Sequence, residues 1–542
     1  MFRLCKKVGD NVLITSNKSI EWESLQEPII IEKIIPSDYI PPNSEKIIVN
    51  RTDSYQITAT LTSVQENVPF EKNVEYAKRF YVRSPGSLIK PFNIEGEDQN
   101  GSKVELRNCF VTNMSSHVER DSYKKLVTLN ILVDEIIIEK NNDSEVSFLS
   151  EWYLNGPNGV LFPRYTLRLS EKESNKVSIG RVTVDITEPE SIELSVNSYE
   201  NSQVSTSSRD FALVTLDDIK FILAIVPNNY GPNWSKNICI EYRKEFGSIP
   251  DDEKREAISE IVGFVLGVQL LNVGFTEYNH DGQMLVSLAR SSWGRAYSRF
   301  ICENTQTPPF SLTVRDLING EEKIEELLCS LVPKYLDLRD KLNLKEALWR
   351  YWISRNMPIG TNLPVLSSAL EIIMTSWFES ENSKSRAFYM EQKEFNKLIE
   401  EGLKNIEEKL DEYIENKIKS LESETKESLE VQEIKGLKNT IVGKIRNSNQ
   451  MSVTKKYLAF FKEIGLVTGS IEGRAITTRH SMAHGDKVDR EEFEKMRRCT
   501  YAYQTLFHRV LLKVLGYEGN YVDRSVIGFP EKHIDLPLGK NK

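Results

Sequence analysis

Hydrophobic and polar positions follow two different patterns in the two halves of the chain. From residue 1 to about residue 250, apolar residues alternate with polar ones or form short β-branched runs, as in VELRNCFVT and KLVTLNILVDEIIIEK. A period of two is typical of half-buried strands, and turn-forming clusters such as Pro41-Pro42 and NGPNG at 155–159 separate the runs. This pattern predicts a β-rich sandwich or barrel rather than alternating βα units.

A short connecting segment follows. Asp251 and Asp252 precede AISEIVGFVLGVQLL and indicate a helix start, and Asp281-Gly282 lies between two apolar runs and predicts the turn of a β-hairpin. We therefore expect a connecting helix and hairpin at residues 251–309.

After Pro308-Pro309 the apolar spacing changes to three or four residues nearly to the C-terminus. Pro364 is the predicted first residue of one of the helices, because proline is favoured at that position. The sequence thus predicts an α+β multidomain chain in which residues 1–250 are β-rich and residues 310–542 form an all-α helical bundle.

One predicted helix is unusually long. Its apolar residues recur every three or four positions: Phe395, Ile399, Leu403, Ile406, Leu410, Ile414, Ile418 and Leu421. Such a stripe is typical of an amphipathic helix, and steps of four dominate over a heptad repeat. Packing against other helices of the same chain is therefore favoured over a coiled coil with a partner.

Composition narrows the class of protein. At roughly 100 to 200 residues per domain, 542 residues predict about three domains, and 39% hydrophobic with 27% charged residues excludes a disordered or fibrous chain. The six cysteines contain no Cys-x-x-Cys, which favours neither a disulfide scaffold nor a thiolate zinc site. Neither an export signal nor a membrane span is visible, so we expect a cytoplasmic protein.

Charge is unevenly distributed. The whole chain carries -9, with 79 acids against 70 bases, and residues 400–430 hold 11 acids and 5 lysines. Residues 431–542 carry 20 Lys and Arg against 12 Asp and Glu, a net charge of +8. A segregated basic surplus can attract RNA, although it is more often ordinary solvated surface.

The stretch with the clearest chemical potential lies in this basic part. Four of the six histidines follow residue 479, two of them in the string RHSMAHGD at 479–486. Gly485 can cap a helix that ends at His484. Asp489 and Glu492 resemble the capping box of a next helix that runs to Gly516, so the string is expected beside a turn.

Three interpretations of this string are open. In the first, Arg479 stabilises a phosphate and His484, whose ordinary pKa is about 6.5, transfers protons. RNA supplies its own 2′-OH nucleophile, so its cleavage needs a base, an acid and a cation but no metal. Five positions are about 1.4 helical turns, so the two side chains share a site only if the helix ends between them.

The second interpretation is a metal site, because His480 and His484 are four residues apart. It lacks the Glu of His-Glu-x-x-His and has no evident third ligand. The third is structural, since Arg and His at a helix C-terminus interact favourably with its carbonyls and dipole.

The string Arg479-x4-His484, together with LEIIMTSWF before it and LFHRVLLKVLGYEGNYVDR after it, resembles the Arg-x4-6-His signature of HEPN domains (higher eukaryotes and prokaryotes nucleotide-binding). It is similar to the ApeA-like branch over about residues 340–530. GFVLG and the Asp-Gly hairpin add a fainter similarity in the β-rich half.

The resemblance implies a metal-independent endoribonuclease without a cofactor, dimeric through its helical domain, in which the motifs of two protomers meet in one cleft. Such proteins commonly act as toxins or in bacterial defence against phage. His484 would be the acid/base residue, Arg479 the phosphate-binding residue and His480 the polar residue after the Arg, where the family often has Asn. Some members only bind RNA or partners, so a non-catalytic dimeric interaction protein is the alternative.

Other residues are weaker candidates. Glu371 could orient Arg479, although Ser368, Glu371, Thr375 and Glu379 form a stripe that favours a solvated face. An aromatic and basic run resembles single-strand RNA grooves, but domain-junction packing is favoured; it comprises Trp293, Arg295, Tyr297 and Arg299. His508, beside Leu506 and Phe507, is expected to be a satisfied core or interface histidine.

The β-rich half has no recognisable catalytic or phosphate-binding motif. The hypothesis for residues 1–250 is therefore recognition of a phage-derived or cellular trigger and restraint of the nuclease.

Overall fold

The structure is a computed structural model of the chain. It describes residues 25, 27–41, 43–65, 90–118, 125–142, 144–157, 166–170, 176–179, 182–185, 206–216, 219–226, 234–280, 283–292, 301–302, 306–312, 323–380, 388–420, 429–483 and 490–539. The chain divides into two compact units, Met1–Leu336 and Asp337–Lys542. The predicted boundaries near residues 250 and 309 stay predictions.

The first unit is β-rich, as the alternating pattern predicts. Its strands are β1 (Ile29–Ile34), β2 (Ser44–Arg51), β3 (Ile57–Gln65), β4 (Phe92–Asp98), β5 (Lys103–Val118), β6 (Lys125–Glu139), β7 (Phe148–Leu154), β8 (Thr166–Ser170), β9 (Lys176–Ile179), β10 (Val182–Asp185), β11 (Thr206–Thr215), β12 (Lys220–Val226), β13 (Asn237–Arg243), β14 (Leu271–Tyr278) and β15 (Met284–Arg290).

Six of these strands close into a small barrel in the order β6-β3-β2-β1-β4-β5, because β6 pairs with both β3 and β5. Ala59 pairs with Ile131 and Leu61 with Leu129, and all four side chains are buried. Thr60, between them in sequence, is only partly buried, as alternation requires. Of the sandwich and barrel alternatives, the barrel is the one that forms here.

The remaining strands continue from β6 as an open sheet in the order β15-β14-β7-β13-β12-β11-β8-β9-β10. Helix α1 (Asp252–Leu266) packs on this sheet: its Arg255 donates to Glu151 of β7 at 2.9 Å. The predicted helix and hairpin of the connecting segment are therefore confirmed. The predicted turn residues Asp281 and Gly282 lie outside the described residues.

Capping explains the limits of α1. The Asp251 side chain accepts a hydrogen bond from the Lys254 amide at 2.8 Å, which satisfies one of the open donors of the first turn. Gly267 ends the helix with φ +70°, and a Cβ at this position would lie 2.0 Å from the Pro308 nitrogen. Only glycine fits both the dihedral angle and this close approach.

The rest of the described chain is mainly helical, as predicted. The helices are α2 (Lys323–Leu338), α3 (Leu344–Arg355), α4 (Asn362–Glu379), α5 (Gln392–Lys419), α6 (Leu429–Arg446), α7 (Val453–Glu463), α8 (Ser470–Ala483) and α9 (Arg490–Val514). Helix α4 packs against α3, α7, α8 and α9, and it buries Leu366, Leu370 and Ile373. Pro364 is its third residue rather than its first, a position where the missing N–H is still tolerated.

The long amphipathic helix is confirmed as α5, and it packs against α6 of the same chain. Lys438 bonds Asp411 at 2.6 Å, and Arg446 lies 3.6 Å from Glu407, so the two helices run antiparallel. Phe395 is the one α5 residue that is fully buried in the described structure. Packing within the chain was the favoured prediction, and α6 provides that partner.

The expectation that residues 310–542 are all-α is wrong near the C-terminus. Strands β16 (Asn520–Val522) and β17 (Glu531–His533) form a two-stranded antiparallel sheet after α9. Helix α9 ends at Val514, two residues before the predicted end, and Gly516 follows it with φ +72°, a left-handed conformation that terminates helices. The strands were not predicted because three-residue strands are too short to give an alternating pattern.

Candidate functional site

The first part of the Arg479–His484 motif lies on a helix. Arg479 and His480 belong to α8, Ser470–Ala483. The side chains of Arg479 and His480, and the whole of His484, Gly485 and Asp489, lie outside the described residues, so the predicted helix end at His484 stays a prediction.

Two neighbouring helices, α8 and α9, position the described part of the motif. Helices α8 and α9 run antiparallel, because Glu472 pairs with Arg509 near one end and Thr478 meets Cys499 nearer the other, with Sγ and Oγ1 3.6 Å apart. The backbone of residue 479 consequently lies beside α9, near Cys499.

A fully buried ion pair fixes the start of α8. Arg509 Nη1 lies 2.6 Å from Glu472 Oε1, and both side chains are 0% exposed. Arg509 Nη2 also donates to the carbonyls of Val467 and Ile534. Buried charges are tolerated only when such hydrogen bonds replace their lost hydration.

The carboxylate is equally well satisfied. Glu472 accepts hydrogen bonds from the amides of Gly469 at 3.0 Å and Leu538 at 2.8 Å. One carboxylate thus ties the first turn of α8, helix α9 and the C-terminal segment together. The helix that carries Arg479 is held at its base by charge and at its side by buried Ala475 and Ile476.

Glu371 lies on α4, which packs against α8, and it is partly buried. Thr375 and Glu379 of the same stripe are exposed, while Ser368 is partly buried. This exposure agrees with the favoured interpretation of a largely solvated face, and the orientation of Arg479 by Glu371 stays a hypothesis. The run from Trp293 to Arg299 lies outside the described residues.

His508 is the described histidine with the most perturbed environment. It is 1% exposed, and its Nε2 lies 2.7 Å from the hydroxyl of Tyr351, itself fully buried on α3. Burial lowers its pKa well below the usual range, and the positive charges of Arg524 and Arg355 lower it further. The prediction of a core histidine is confirmed, with its Nε2 satisfied by Tyr351.

Sequence reasoning missed the arginines beside His508. Arg355 ends α3 and donates to Gln504 of α9 at 3.2 Å, and Arg524 follows β16 with its guanidinium 5.4 Å from the ring centre of Phe529. Burial lowers the pKa of Arg524, and the charge of Arg355 lowers it further. These residues are far apart in sequence, so no local spacing could have indicated that they meet.

The ion pair was also missed, although a signal existed. Arg509 stands inside the apolar run LFHRVLL, where a charge on a buried helical face requires a partner. Its partner Glu472 lies in a polar stretch of the sequence, where a charged residue does not indicate burial.

Comparison with known proteins adds no relative: no family model, no curated protein and no solved structure matches the chain. Within the described ranges, no three His, Cys, Asp or Glu side chains are grouped so that they could hold a metal ion. No described helix has the length and apolar character required to cross a membrane.

Proposed function

We propose that the chain is a metal-independent endoribonuclease of the HEPN type, which cleaves RNA through attack of the 2′-OH on the adjacent phosphate. The observation that carries the proposal is the position of Arg479 on α8, a helix whose first turn is anchored by the buried Glu472–Arg509 pair. In a continuous helix, residues 479 and 484 would point about 140° apart, at about 100° per residue. The proposal therefore requires that the helix end between them, so that His484 can turn towards the phosphate that Arg479 binds.

The anchoring of α8 by buried contacts supports this assignment. Catalytic groups must be held to a fraction of an ångström, and helices anchored by packing and buried hydrogen bonds do this better than loops. The Glu472–Arg509 pair gives α8 such an anchor less than two turns before Arg479.

The proposed reaction requires only a few side chains of the protein. A base removes the 2′-OH proton, the oxygen attacks phosphorus, and the 5′-oxygen leaves with a proton, giving a 2′,3′-cyclic phosphate and a 5′-hydroxyl. His484 moves protons, Arg479 stabilises the charge that builds up on the phosphorane, and His480 orients the site. No cofactor and no metal takes part.

The cellular role follows from the same resemblance and is part of the proposal. The chain acts as a homodimer through its helical unit, so that the motifs of two protomers share one cleft. It serves in defence against phage in the cytoplasm, and the β-rich half recognises the trigger and restrains cleavage. An always-active ribonuclease would damage its own cell.

The test is cleavage of total cellular RNA by the purified full-length chain in excess EDTA. We expect discrete cuts by the wild type and a rate lower by about 10²- to 10⁴-fold for His484→Ala, because the acid/base contribution is lost. Arg479→Ala should lose cleavage through lost charge stabilisation, with its fold retained. A chain that binds RNA without cutting it, and that still does not cut after residues 1–250 are removed, would instead be the non-catalytic interaction protein. Loss of activity in EDTA would favour a metal site at His480 and His484.

Two control variants match these substitutions. Arg474→Ala removes an exposed arginine from the same helix, and His533→Ala removes a half-exposed histidine from the same unit. Both should cut like the wild type. Normal cleavage by His484→Ala, or equal loss in the control variants, would contradict the assignment of the site.

A further inference from the structure

A short segment before α5 is anchored to the segment before α7 by its backbone. Phe388 forms an antiparallel bridge with Gln450. The Tyr389 amide donates to the Asn449 carbonyl at 3.0 Å, and Asn449 Nδ2 donates to the Met390 carbonyl at 2.9 Å. Asn449 is buried, so these hydrogen bonds are shielded from water and hold the short segment firmly.

The side chains of the anchored segment nevertheless face solvent. Phe388 is 36% exposed, Tyr389 is 48% exposed and Met390 is 39% exposed. Adjacent large apolar side chains in contact with water, on a backbone that is held in place, are typical of a binding surface. The anchoring also reduces the entropy that these side chains would lose when a ligand binds.

A basic helix face adjoins this segment. Lys455 Nζ of α7 lies 4.7 Å from the centre of the Tyr389 ring. Leu458 and Lys462 follow three and seven residues after Lys455, so the three side chains lie on one face of α7, and all three are exposed. The two lysines are about 10 Å apart along the helix axis, at about 1.5 Å per residue.

The charge of this region is positive. Residues 446–462 contain four Lys and Arg and neither Asp nor Glu. The first acid after them, Glu463, accepts a hydrogen bond from Trp377 of α4 at 2.8 Å. Glu391 and Lys393, which follow the anchored segment, offset each other. The region therefore suits an anionic ligand.

Five residues of this region are called the Tyr389–Lys455 surface: Phe388, Tyr389, Lys455, Leu458 and Lys462. We propose that the Tyr389–Lys455 surface binds single-stranded RNA. Exposed aromatic rings stack on unpaired bases of any sequence, and neighbouring lysines contact the phosphates of the same strand. An acidic protein would also pair with the lysines, but the exposed rings beside them favour the planar bases of a nucleic acid.

The choice of RNA over DNA rests on the proposed function, because stacking and phosphate contacts are common to both. The surface lies on and beside α7, the helix that precedes α8 in the chain, and it includes none of the residues of the proposed cleavage site. Binding at this surface and cleavage at Arg479 and His484 can therefore be tested separately.

The test measures binding of a fluorescent 2′-O-methyl oligoribonucleotide to the full-length chain by fluorescence anisotropy over a range of salt concentrations. This strand has no free 2′-OH, so the proposed reaction does not cut it. Tyr389→Ala should bind about fivefold or more weakly, because it loses stacking on a base. The slope of log affinity against log salt should stay the same, because no charge is removed.

Loss of the lysines should change the salt dependence instead. The Lys455→Gln/Lys462→Gln double variant loses two phosphate contacts, so it should bind more weakly at low salt. Its slope of log affinity against log salt should decrease by about 1.4, at about 0.7 per phosphate contact of a single strand.

Matched variants elsewhere in the helical unit serve as controls. Tyr413→Ala removes a tyrosine of α5 that is 54% exposed, and Lys417→Gln/Lys419→Gln removes two exposed lysines of the same helix. Both should bind the strand like the wild type. Tyr389→Phe keeps the aromatic ring and should also bind like the wild type, so its comparison with Tyr389→Ala isolates stacking. Circular dichroism checks that each variant is folded.

An RNA duplex of the same sequence separates stacking from charge. Its bases are paired and stacked on one another, so it should bind more weakly than the single strand, and Tyr389→Ala should not change its binding. The inference is overturned if the wild type does not bind the single strand, if it prefers the duplex, or if the folded surface variants bind like the controls.

The inference and the proposed function fail in different ways. His484→Ala should bind the strand normally. Binding by the surface without any cleavage of RNA would contradict the proposed function alone. Cleavage of RNA together with unchanged binding by the surface variants would contradict this inference alone, and would leave the exposed rings as a contact for a protein.

Discussion

The barrel and the helical unit differ in what they bury. The core of the barrel consists of apolar side chains from alternating strand positions, such as Ala59, Leu61 and Ile131. The helical unit buries charged groups as well, among them Glu472, Arg509 and Lys532. Apolar burial needs only the correct pattern, whereas buried charge needs particular partners. The β-rich unit also buries charge, but outside its barrel, where Arg255 pairs with Glu151.

The largest effect should come from breaking the buried ion pair of the helical unit. Arg509→Ala leaves Glu472 buried and unpaired, which we expect to lower the free energy of unfolding by about 3–5 kcal/mol. Denaturation followed by the helical circular dichroism signal measures this. Arg497→Ala breaks a surface pair with Glu494 and should cost about 0–1 kcal/mol. Equal losses in the two variants would show that the buried Glu472–Arg509 pair contributes no more to stability than a surface pair.

The barrel should be destabilised most by the loss of side-chain volume in its apolar core, rather than by the loss of a charge. Leu61→Ala removes a side chain with 0% exposure, and we expect a loss of about 2–5 kcal/mol from lost burial and the cavity left behind. Thr60→Ala, on the outer side of the same strand, should change stability by much less. Both are measured by denaturation followed by strand signals. A tolerated Leu61→Ala would contradict the closed apolar core.

The smallest effect is a dependence on pH that belongs to the helical unit. The pKa of His508 is well below 6.5 in the folded chain, so below about pH 6.5 the unfolded chain takes up a proton that the folded chain does not. Stability is therefore lost as the pH falls below this value, by on the order of 1 kcal/mol per pH unit while His508 stays neutral in the folded chain. His508→Gln should remove this part of the slope in denaturation experiments.

His533→Gln, at a histidine with 48% side-chain exposure, serves as the control for that slope. It should leave the pH dependence unchanged. A full slope in His508→Gln would mean that another group takes up the proton.

The sequence predicted the features that depend on neighbouring residues, and it did not predict the contacts between residues that are distant in sequence. Local signals gave the alternating strands of the barrel, the Asp251 cap of α1 and the glycine that ends α9, because each depends on neighbouring residues. The pairing of Glu472 with Arg509, and the hydrogen bond from Arg355 to Gln504, join distant segments and left no periodic trace. The hairpin of β16 and β17 was missed because three-residue strands show no alternation. For the motif, the sequence predicted that Arg479 and His480 lie on a helix, which α8 confirms, while the predicted helix end at His484 lies outside the described residues.

The central claim is that RNA is cleaved by its own 2′-OH under the control of Arg479 and His484. The most direct measurement uses a defined RNA that the wild-type chain cuts in EDTA, compared with the same strand carrying one 2′-deoxy nucleotide immediately before the cut. The account predicts a 2′,3′-cyclic phosphate and a 5′-hydroxyl in the first strand and no cut at that position in the second. Continued cleavage at the 2′-deoxy position would contradict it.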